Sequence, residues 1–463
     1  MNTLSVDGLH RTTKLELDEG RAQTAEEARQ MVERYVLQIE VGAGIQSSAT
    51  RQAMLLTTVN ASRRAFLGGV KVRLSSDGPI RLGWAQGQDI STSVRTLGGE
   101  VVEEFDPQHP TVVIGHVGTR PPGSVVVYAT WQGWSGGIVE EPGQRLAESV
   151  EFPLAGVLAG ALAVSEAFQH VRGFAPAGRR RAGLSLWQPE QDWWSESSYG
   201  PPSYYLPSRL WLIGLGHLGQ AFSWVIGLLP YADPSSVEVM LQDYDFVVEA
   251  NESTGLLSDS TSVGYRKARV VADRLEALGF KTTINERPFD QSTRRRSDEP
   301  GVALVGLDDP APRRFLEGAG FDLVIDAGLG GSAQSYLDML IHAFPSGIEA
   351  ARAWPEGRAS SSTPVDQPAY QHLQRQLAAE SDLHVGEGDI ECGVLEVAGR
   401  SVGAAFVGCA AAALVFSEAL RFLTGGPRLE IVSLSLRSPH MIETAPNNRE
   451  VPPVNPGFVV AQL

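Results

Sequence analysis

IGLGHLGQ, residues 213–220, decides the fold class of this chain of 463 residues. The stretch follows the apolar run 210–212 and precedes the apolar run 221–229, an order that predicts strand, glycine turn and helix. Gly214, Gly216 and Gly219 let the backbone turn tightly and approach a phosphate at the helix N-terminus. We therefore predict a nucleotide site, with a glycine turn that only packs helix on strand as the alternative.

The residues that follow supply an acidic partner for this turn. Asp243 and Asp245 end a second predicted strand, 237–241, where an acidic side chain commonly binds ribose hydroxyls. A helix over 263–278 and strands over 281–285 and 302–305 continue the alternation. This pattern predicts a mainly parallel sheet that binds ligands at the C-terminal ends of its strands.

Two pairs of similar segments predict an internal duplication rather than chance similarity. The small-residue helices 153–168 and 405–420 each carry Ser-Glu-Ala near the C-terminal end, and the strands 125–130 and 322–327 each run into a glycine turn. The predicted fold class is α/β, with two tandem Rossmann-like, mainly parallel sheets that form a pseudo-dimer. Only the second copy keeps an intact nucleotide site, since the nearest glycine segment of the first copy, 66–74, predicts a turn into a strand.

The predicted boundaries are 1–180 for the first domain, 181–207 for a linker and 208–463 for the second domain, with an irregular insertion or crossover loop at 351–388. The linker is rich in proline, glycine and aromatic residues. The aromatic residues favour a linker that is packed against a surface; a binding site for a partner peptide is the alternative.

Composition excludes several classes of protein. The chain has 38 Lys and Arg against 54 Asp and Glu, a net charge of −16, which opposes general binding to nucleic acid or to an anionic membrane. The two cysteines, Cys392 and Cys409, cannot make a four-cysteine zinc site. The N-terminus is polar, and the apolar segment 402–417 predicts a buried helix, so we expect a cytoplasmic protein.

Three further polar residues follow the glycine turn in order. Asn251 comes soon after the acidic strand end, Lys267 lies early in a predicted helix, and Asp308 stands at a strand end. Nucleotidyl transfer needs a cation on phosphate and a carboxylate for Mg²⁺, which Lys267 and Asp308 supply. Taken singly, Lys267 is also typical of a solvated helix face, and Asp308 of a cap for a helix over 310–316.

This ordered set resembles the ThiF/MoeB superfamily, which includes the ubiquitin-activating enzymes, and the resemblance covers residues 208–426. It implies ATP- and Mg²⁺-dependent adenylation of the C-terminal carboxylate of a ubiquitin-like or small carrier protein. It also implies a role for each position. Gly214, Gly216 and Gly219 would line the nucleotide phosphates, and Asp243 would bind the ribose. Asn251 and Lys267 would contact phosphates, and Asp308, with Arg313 soon after it, would bind Mg²⁺.

The resemblance also implies that an inactive copy lends an arginine to the active one. Arg63 or Arg64 is the candidate, and a surface pair is the alternative. The chain departs from the family where Glu252 follows Asn251, because the usual phosphate-binding arginine is absent; Arg266 or a first-copy arginine is the replacement we consider.

Cysteine chemistry and two other functions stay open at this point. Cys392 is the candidate nucleophile for a thioester, although the neighbouring Glu391 disfavours its thiolate, whereas Cys409 lies in an apolar helix and is predicted to be core. An NAD(P)-dependent oxidoreductase would use the same turn and acidic strand end. A non-catalytic nucleotide-binding member of the ThiF scaffold is the third possibility.

Overall fold

The computed structural model describes residues 9–203, 205–355, 371, 401–449 and 457–462. It contains two large sheets, one in each half of the chain. The first sheet has seven strands in the order β3-β2-β1-β4-β5-β6-β7. Strands β1 to β5 pair in parallel, and β6 and β7 are antiparallel additions at one side. The strands are β1 Val36–Val41, β2 Gly69–Leu74, β3 Glu100–Val101, β4 Thr111–Ile114, β5 Val126–Gln132, β6 Ser135–Val139 and β7 Ala182–Ser185.

The second sheet repeats this order and adds one strand at its end. Its eight strands run β11-β10-β9-β12-β13-β14-β15-β16, again parallel from β9 to β13 and antiparallel beyond. The predicted α/β class with two mainly parallel sheets is confirmed. The strands are β9 Arg209–Ile213, β10 Glu238–Gln242, β11 Lys281–Asn285, β12 Val302–Val305, β13 Leu323–Leu329, β14 Asp338–Phe344, β15 Leu429–Ser435 and β16 Glu443–Pro446; the short strands β8 Tyr205–Pro207 and β17 Phe458–Val460 pair separately.

Helices occupy matching places in the two halves. In each half, one helix follows the first strand of the sheet. A second helix precedes the seventh strand of the sheet, which is β7 in the first half and β15 in the second. The helices are α1 Arg11–Asp18, α2 Ala25–Val32, α3 Ala49–Ser62, α4 Ile90–Thr96, α5 Pro153–Val171, α6 His217–Leu228, α7 Lys267–Glu276, α8 Pro310–Arg313, α9 Ala350–Ala353 and the helix that we label α10, Ala405–Thr424.

Small residues let α5 and α10 approach their neighbours closely. A Cβ at Gly156 of α5 would lie 2.2 Å from the Thr50 carbonyl oxygen of α3. A Cβ at Gly408 of α10 would lie 2.5 Å from His217 Nε2 of α6. Each small-residue helix therefore packs on the helix that follows the first strand of its own sheet. Both helices are long and apolar enough to cross a membrane, and 89% of the apolar window of each is buried inside the protein.

The structure corrects the prediction for the glycine segment of the first half. Residues 69–74 form β2, the second strand of the order, whereas the counterpart of the second-half glycine turn lies between β1 and α3, at Gly42-Ala43-Gly44. Segment 66–74 does form the predicted turn into a strand, but it is not the equivalent of the second-half glycine turn. The physical reason is that Ser47 stands where a third glycine would, so the turn lacks the full glycine spacing.

The two halves share one continuous core of buried apolar side chains. Trp84 of the first half stacks on Trp224 of α6, with ring centroids 5.5 Å apart. The predicted linker 181–207 opens with β7, which belongs to the first sheet. Two of its aromatic residues pack against the first domain, since Trp193 is 6% exposed and Trp187 lies against Trp134 with ring centroids 5.1 Å apart, whereas Tyr205 is 43% exposed.

Candidate nucleotide site of the second domain

The glycine turn joins β9 to α6 at the C-terminal end of the second sheet. Gly214 adopts φ +81°, and a Cβ there would lie 2.8 Å from the Gly306 carbonyl oxygen, which follows β12. Gly216 caps α6, and apart from its two chain neighbours no described residue has an atom within 4 Å of the Cβ position of Gly216. The turn is therefore tight against the protein on one side and open at Gly216.

Asp243 supports this turn from the end of β10. Its Oδ2 accepts from the Leu215 amide at 2.6 Å, and its Oδ1 accepts from the Asp245 amide at 2.7 Å. The carboxylate is only 9% exposed, and burial raises its pKa against the lowering effect of Lys267 and these amides. Asp243 thus holds the two strand ends together, and the predicted ribose contact stays a prediction.

Asp245 and Lys267 form an ion pair beside the turn. Lys267 Nζ lies 2.9 Å from Asp245 Oδ2, and the Lys267 amide donates to the Asp245 carbonyl at 2.9 Å. Lys267 is the first residue of α7, which begins later than the predicted start at residue 263 because Gly264 has φ +85° and Arg266 is extended. The Asp245 side chain is 50% exposed, whereas the Lys267 side chain is 13% exposed, so the pair is open to solvent mainly on the Asp245 side.

Asn251 lies in the 3₁₀ helix Glu249–Ser253. Its side-chain Oδ1 accepts from the Val248 amide at 2.9 Å, and its carbonyl accepts from the Gly255 amide at 2.7 Å. These bonds give Asn251 a structural role in its own turn. A phosphate contact would use the Nδ2 amino group, and it stays a prediction.

Asp308 lies three residues beyond the end of β12, in the loop that contacts the glycine turn through Gly306. Its carboxylate is exposed and accepts from the adjacent Asp309 amide at 2.9 Å. The alternative role, a helix cap, belongs to Asp309, whose Oδ1 accepts from Ala311 N at 2.8 Å. That cap leads into the short helix α8, which ends at Arg313 rather than at the predicted residue 316.

A buried ion pair that the sequence did not reveal fixes this loop. Arg313 Nη1 lies 3.1 Å from Asp326 Oδ2, and Arg313 also donates to the carbonyls of Leu307 and Ala327. Burial raises the pKa of Asp326 to about 6, although Arg313 lowers it. Asp326 lies within β13, where nothing in its apolar sequence context distinguishes a functional carboxylate from an isolated polar residue.

The candidate replacement arginines have different surroundings. Arg64 is 3% exposed and donates to the carbonyls of Gly255 and Ser258, so its guanidinium is committed to the protein. Arg63 lies 3.7 Å from Glu252, in the turn that carries Asn251. Arg266 lies over the Phe246 ring, with its Cζ 4.0 Å from the centroid. Arg63 is therefore the first-domain arginine that lies beside the Asn251 turn and whose guanidinium has no hydrogen bond to a backbone carbonyl among the described contacts.

His217 was missed as a notable residue, although it lies inside the glycine turn motif. It begins α6, and its Nε2 is buried without a hydrogen-bond partner among the described residues. Burial lowers the pKa of His217 to about 4, so the imidazole is neutral at physiological pH. The motif therefore brings no ionic charge to the turn, and the backbone N–H groups of α6 are left as its electropositive feature.

Of the two cysteines, the structure describes Cys409 and not Cys392. Cys409 is buried in α10, and burial raises the pKa of its thiol to about 12, which confirms the prediction that it belongs to the core. Cys392 lies outside the described residues, as does most of the segment 351–388. Across the described ranges, no group of three or more His, Cys, Asp or Glu side chains has metal-binding geometry.

Comparison with known proteins agrees with this architecture. Residues 36–186 match the family model of the BilD N-terminal domain, and residues 206–426 match that of the BilD C-terminal domain. The bacterial E1-like protein BilD of Collimonas sp. (strain OK412) is 42% identical over 444 residues, which cover 95% of this chain and 94% of that protein.

Solved structures of E. coli MccB also align with the chain. One MccB structure aligns with a TM-score of 0.35 and 14% identity over 70% of this chain and 93% of MccB. The structure of MccB with ATP gives a TM-score of 0.35 and 13% identity, over 70% and 95% of the two chains.

Two similarly ordered α/β domains, the second with a glycine turn at its sheet end, define the class as E1-like. The chain belongs to the BilD family of bacterial E1-like proteins.

Proposed function

We propose that the second domain adenylates the C-terminal carboxylate of a ubiquitin-like or small carrier protein, with ATP and Mg²⁺. The observation that carries this proposal is the convergence at one sheet edge. Gly214 follows β9, Asp243 follows β10 and Asp308 follows β12, and these three parallel strands are neighbours in the order β10-β9-β12. Family membership supports the same class of chemistry.

The residues present fit a triphosphate at this edge. The open side of Gly216 leaves the N-terminus of α6 accessible, and backbone N–H groups there favour an anion. Lys267 would exchange its bond with Asp245 for a phosphate oxygen, because the pair is exposed on the Asp245 side. The C-terminal carboxylate of the carrier protein would then attack the α-phosphorus of ATP in line, and pyrophosphate would leave.

Asp308 fits a Mg²⁺ ligand. Its exposed carboxylate has the Asp309 amide as its described partner, so its other lone pairs can bind a cation. Mg²⁺ commonly uses one or two protein carboxylates together with phosphate oxygens, and Asp308 would supply such a carboxylate. When bound, the ion would neutralise charge that develops on the leaving pyrophosphate. The Arg313 bond to the Leu307 carbonyl would hold this loop in place.

The first domain would be an inactive copy within the same chain. Its equal strand order supports a pseudo-dimer, and Arg63 beside Glu252 is its candidate contribution to the phosphate site. Arg63 would then take the place of the arginine that the sequence after Asn251 lacks. Transfer of the acyl group to Cys392, and a cytoplasmic location, remain parts of the same proposal.

The proposal is tested by ATP–pyrophosphate exchange in the presence of a candidate ubiquitin-like or small carrier protein. We expect exchange that depends on that protein and falls by at least about 100-fold in Asp308→Ala. The matched control is Asp309→Ala, which removes the α8 cap next door and costs about 1 kcal/mol of stability without loss of exchange. Equal exchange in Asp308→Ala and the wild type would remove Asp308 from the mechanism. Tight NADH binding with none for ATP would favour the oxidoreductase alternative.

A further inference from the structure

The C-terminal end of helix α3 and the residues just beyond it, in the first domain, contact one loop of the second domain. Asn60 Nδ2 donates to the Leu256 carbonyl at 3.2 Å. Arg64 Nε donates to the Gly255 carbonyl at 3.0 Å, and its Nη2 donates to the Ser258 carbonyl at 3.1 Å. Three carbonyls of the loop 255–258 thus take their donors from the other half of the chain.

Arg64 is built into this contact rather than left at a surface. It is 3% exposed, and its Nη1 donates to the Asn60 carbonyl at 2.9 Å and to the Asn60 side-chain oxygen. Burial lowers the pKa of Arg64 to about 9, so the guanidinium stays charged at neutral pH. Its planar fork serves carbonyls in different directions at once, which a lysine ammonium on one stem would not reproduce.

The opposite side of the same loop is bound to α6. Leu257 N donates to Gln220 Oε1 at 2.9 Å, and Gln220 Nε2 donates to Ser258 Oγ at 2.7 Å. Gln220 is 1% exposed and is the last residue of the glycine motif. The loop 255–258 therefore lies between the first domain and the helix that follows the glycine turn.

Gln220 continues the chain of contacts into the turn itself. Its Nε2 also lies 3.4 Å from the Leu215 carbonyl oxygen, between Gly214 and Gly216. The Leu215 amide in turn donates to Asp243. Because buried hydrogen-bonding groups are costly to leave unpaired, a displaced loop would have to carry Gln220 and the turn with it.

We propose that Asn60 and Arg64 are positioning residues that fix the glycine turn across the domain boundary, through the loop 255–258 and Gln220. This deepens the proposed function and rests on it for the nucleotide that the turn would bind. The fixed turn itself is a property of the free protein and can be measured without any ligand.

The first test is amide hydrogen exchange of residues 214–220 in the full chain without nucleotide. Arg64→Lys, Asn60→Ala and Gln220→Met should each speed exchange in this segment by about tenfold or more, because each leaves buried loop groups unpaired. The matched control is Thr57→Val, which also breaks a contact of α3 across the boundary. Thr57 Oγ1 accepts from Trp224 Nε1 at 3.1 Å and does not touch the loop. This control should leave exchange in 214–220 at the wild-type rate.

The second test is ATP binding with Mg²⁺ by titration calorimetry on the same proteins. The loop variants should weaken ATP about tenfold, and Thr57→Val should not. Arg64→Lys combined with Gln220→Met should weaken ATP by less than the product of the single effects, since both act through one loop. Unchanged exchange in folded Asn60→Ala and Gln220→Met overturns the inference. A wild type that binds no ATP overturns the proposed function, while the exchange experiment still decides the positioning role.

Discussion

The two glycine turns occupy the same place in the strand order, yet their surroundings differ. In the first domain Arg51 fills the space at Gly44: a Cβ there would lie 2.0 Å from Arg51 Nη1, which donates to the Gly44 carbonyl at 3.1 Å. In the second domain, no described residue other than the two chain neighbours approaches the Cβ position of Gly216 within 4 Å. This position of the turn is therefore filled by a side chain in one half and open in the other, and the backbone differs as well, with φ +88° at Gly44 and −78° at Gly216.

The helix N-termini show the same contrast. Glu151 Oε2 accepts from the Thr50 amide at 2.8 Å and from Ser48 Oγ at 3.1 Å, so a carboxylate of the protein sits at the start of α3. Helix α6 begins after Gly216 with no side-chain cap in the described structure. A helix N-terminus favours negative charge. The comparison teaches that a carboxylate of the protein meets this preference in the first domain, whereas no side chain meets it at α6 in the described part of the second domain.

The largest effect is expected from removing the carboxylate of Glu148, which pairs with Arg51 beside the first turn. Glu148 accepts from Arg51 Nη2, Arg145 Nε and Thr130 Oγ1, each at 2.8 Å, and its side chain is 2% exposed. Glu148→Ala should lower the free energy of unfolding by about 3–5 kcal/mol, because it strands two buried guanidinium groups. Urea denaturation measures this loss.

A surface ion pair of the same domain provides the control. Glu141 pairs with Arg120, and their side chains are 60% and 50% exposed. Glu141→Ala should change the free energy of unfolding by less than about 1 kcal/mol. A similar small loss in Glu148→Ala would show that the ionic closure of the first turn contributes little.

A matched pair of glycine substitutions sharpens the comparison next. Gly44→Ala should cost about 2–3 kcal/mol, because φ is +88° and the new methyl group would meet Arg51. Gly216→Ala should cost less than about 1 kcal/mol and instead weaken ATP binding, since its methyl group would project into the open side. Thermal unfolding and ATP titration of both variants measure the two effects. The reverse pattern would contradict the assignment of the open turn.

The smallest effect is expected from acid. The folded-state pKa of His217 is about 4, below its ordinary value of 6.5, so the unfolded chain binds its proton more readily. The stability that depends on neutral His217 is complete above pH 6.5 and is lost as pH falls toward 4. At pH 5 this loss should be about 1–2 kcal/mol, and His217→Gln should abolish it.

Denaturation curves at pH 7 and pH 5 measure this difference. The exposed His440 offers a matched control, since His440→Gln should keep the acid sensitivity of the wild type. An equal fall in stability for His217→Gln and the wild type would show that the turn does not hold a neutral imidazole.

Local patterns predicted much of the second domain. β11 and β12 have the predicted bounds, and the helices with Ser-Glu-Ala form α5 and α10, because apolar periodicity and small-residue runs are local signals. The candidate residues Gly214, Asp243 and Asp308 follow three adjacent strands, as the rule for parallel sheets predicts, and their roles in a site stay predictions.

Other features could not be predicted because they depend on contacts distant in sequence. The first glycine turn was missed because Ser47 interrupts its glycine spacing and α3 starts only at Ala49. Arg64 was considered as a ligand contact, but its partners are carbonyls 191 and 194 residues away. The periodicity of apolar residues along the sequence carries no information about contacts between residues so far apart.

The number of ATP molecules bound per chain, measured by calorimetry with Mg²⁺, tests the difference between the two turns most directly. We predict one ATP per chain, with affinity that falls in Gly216→Ala and is unchanged in a folded chain carrying Glu151→Gln in the first domain. Two ATP molecules per chain, or one whose affinity depends on Glu151 and not on Gly216, would contradict a single open turn in the second domain.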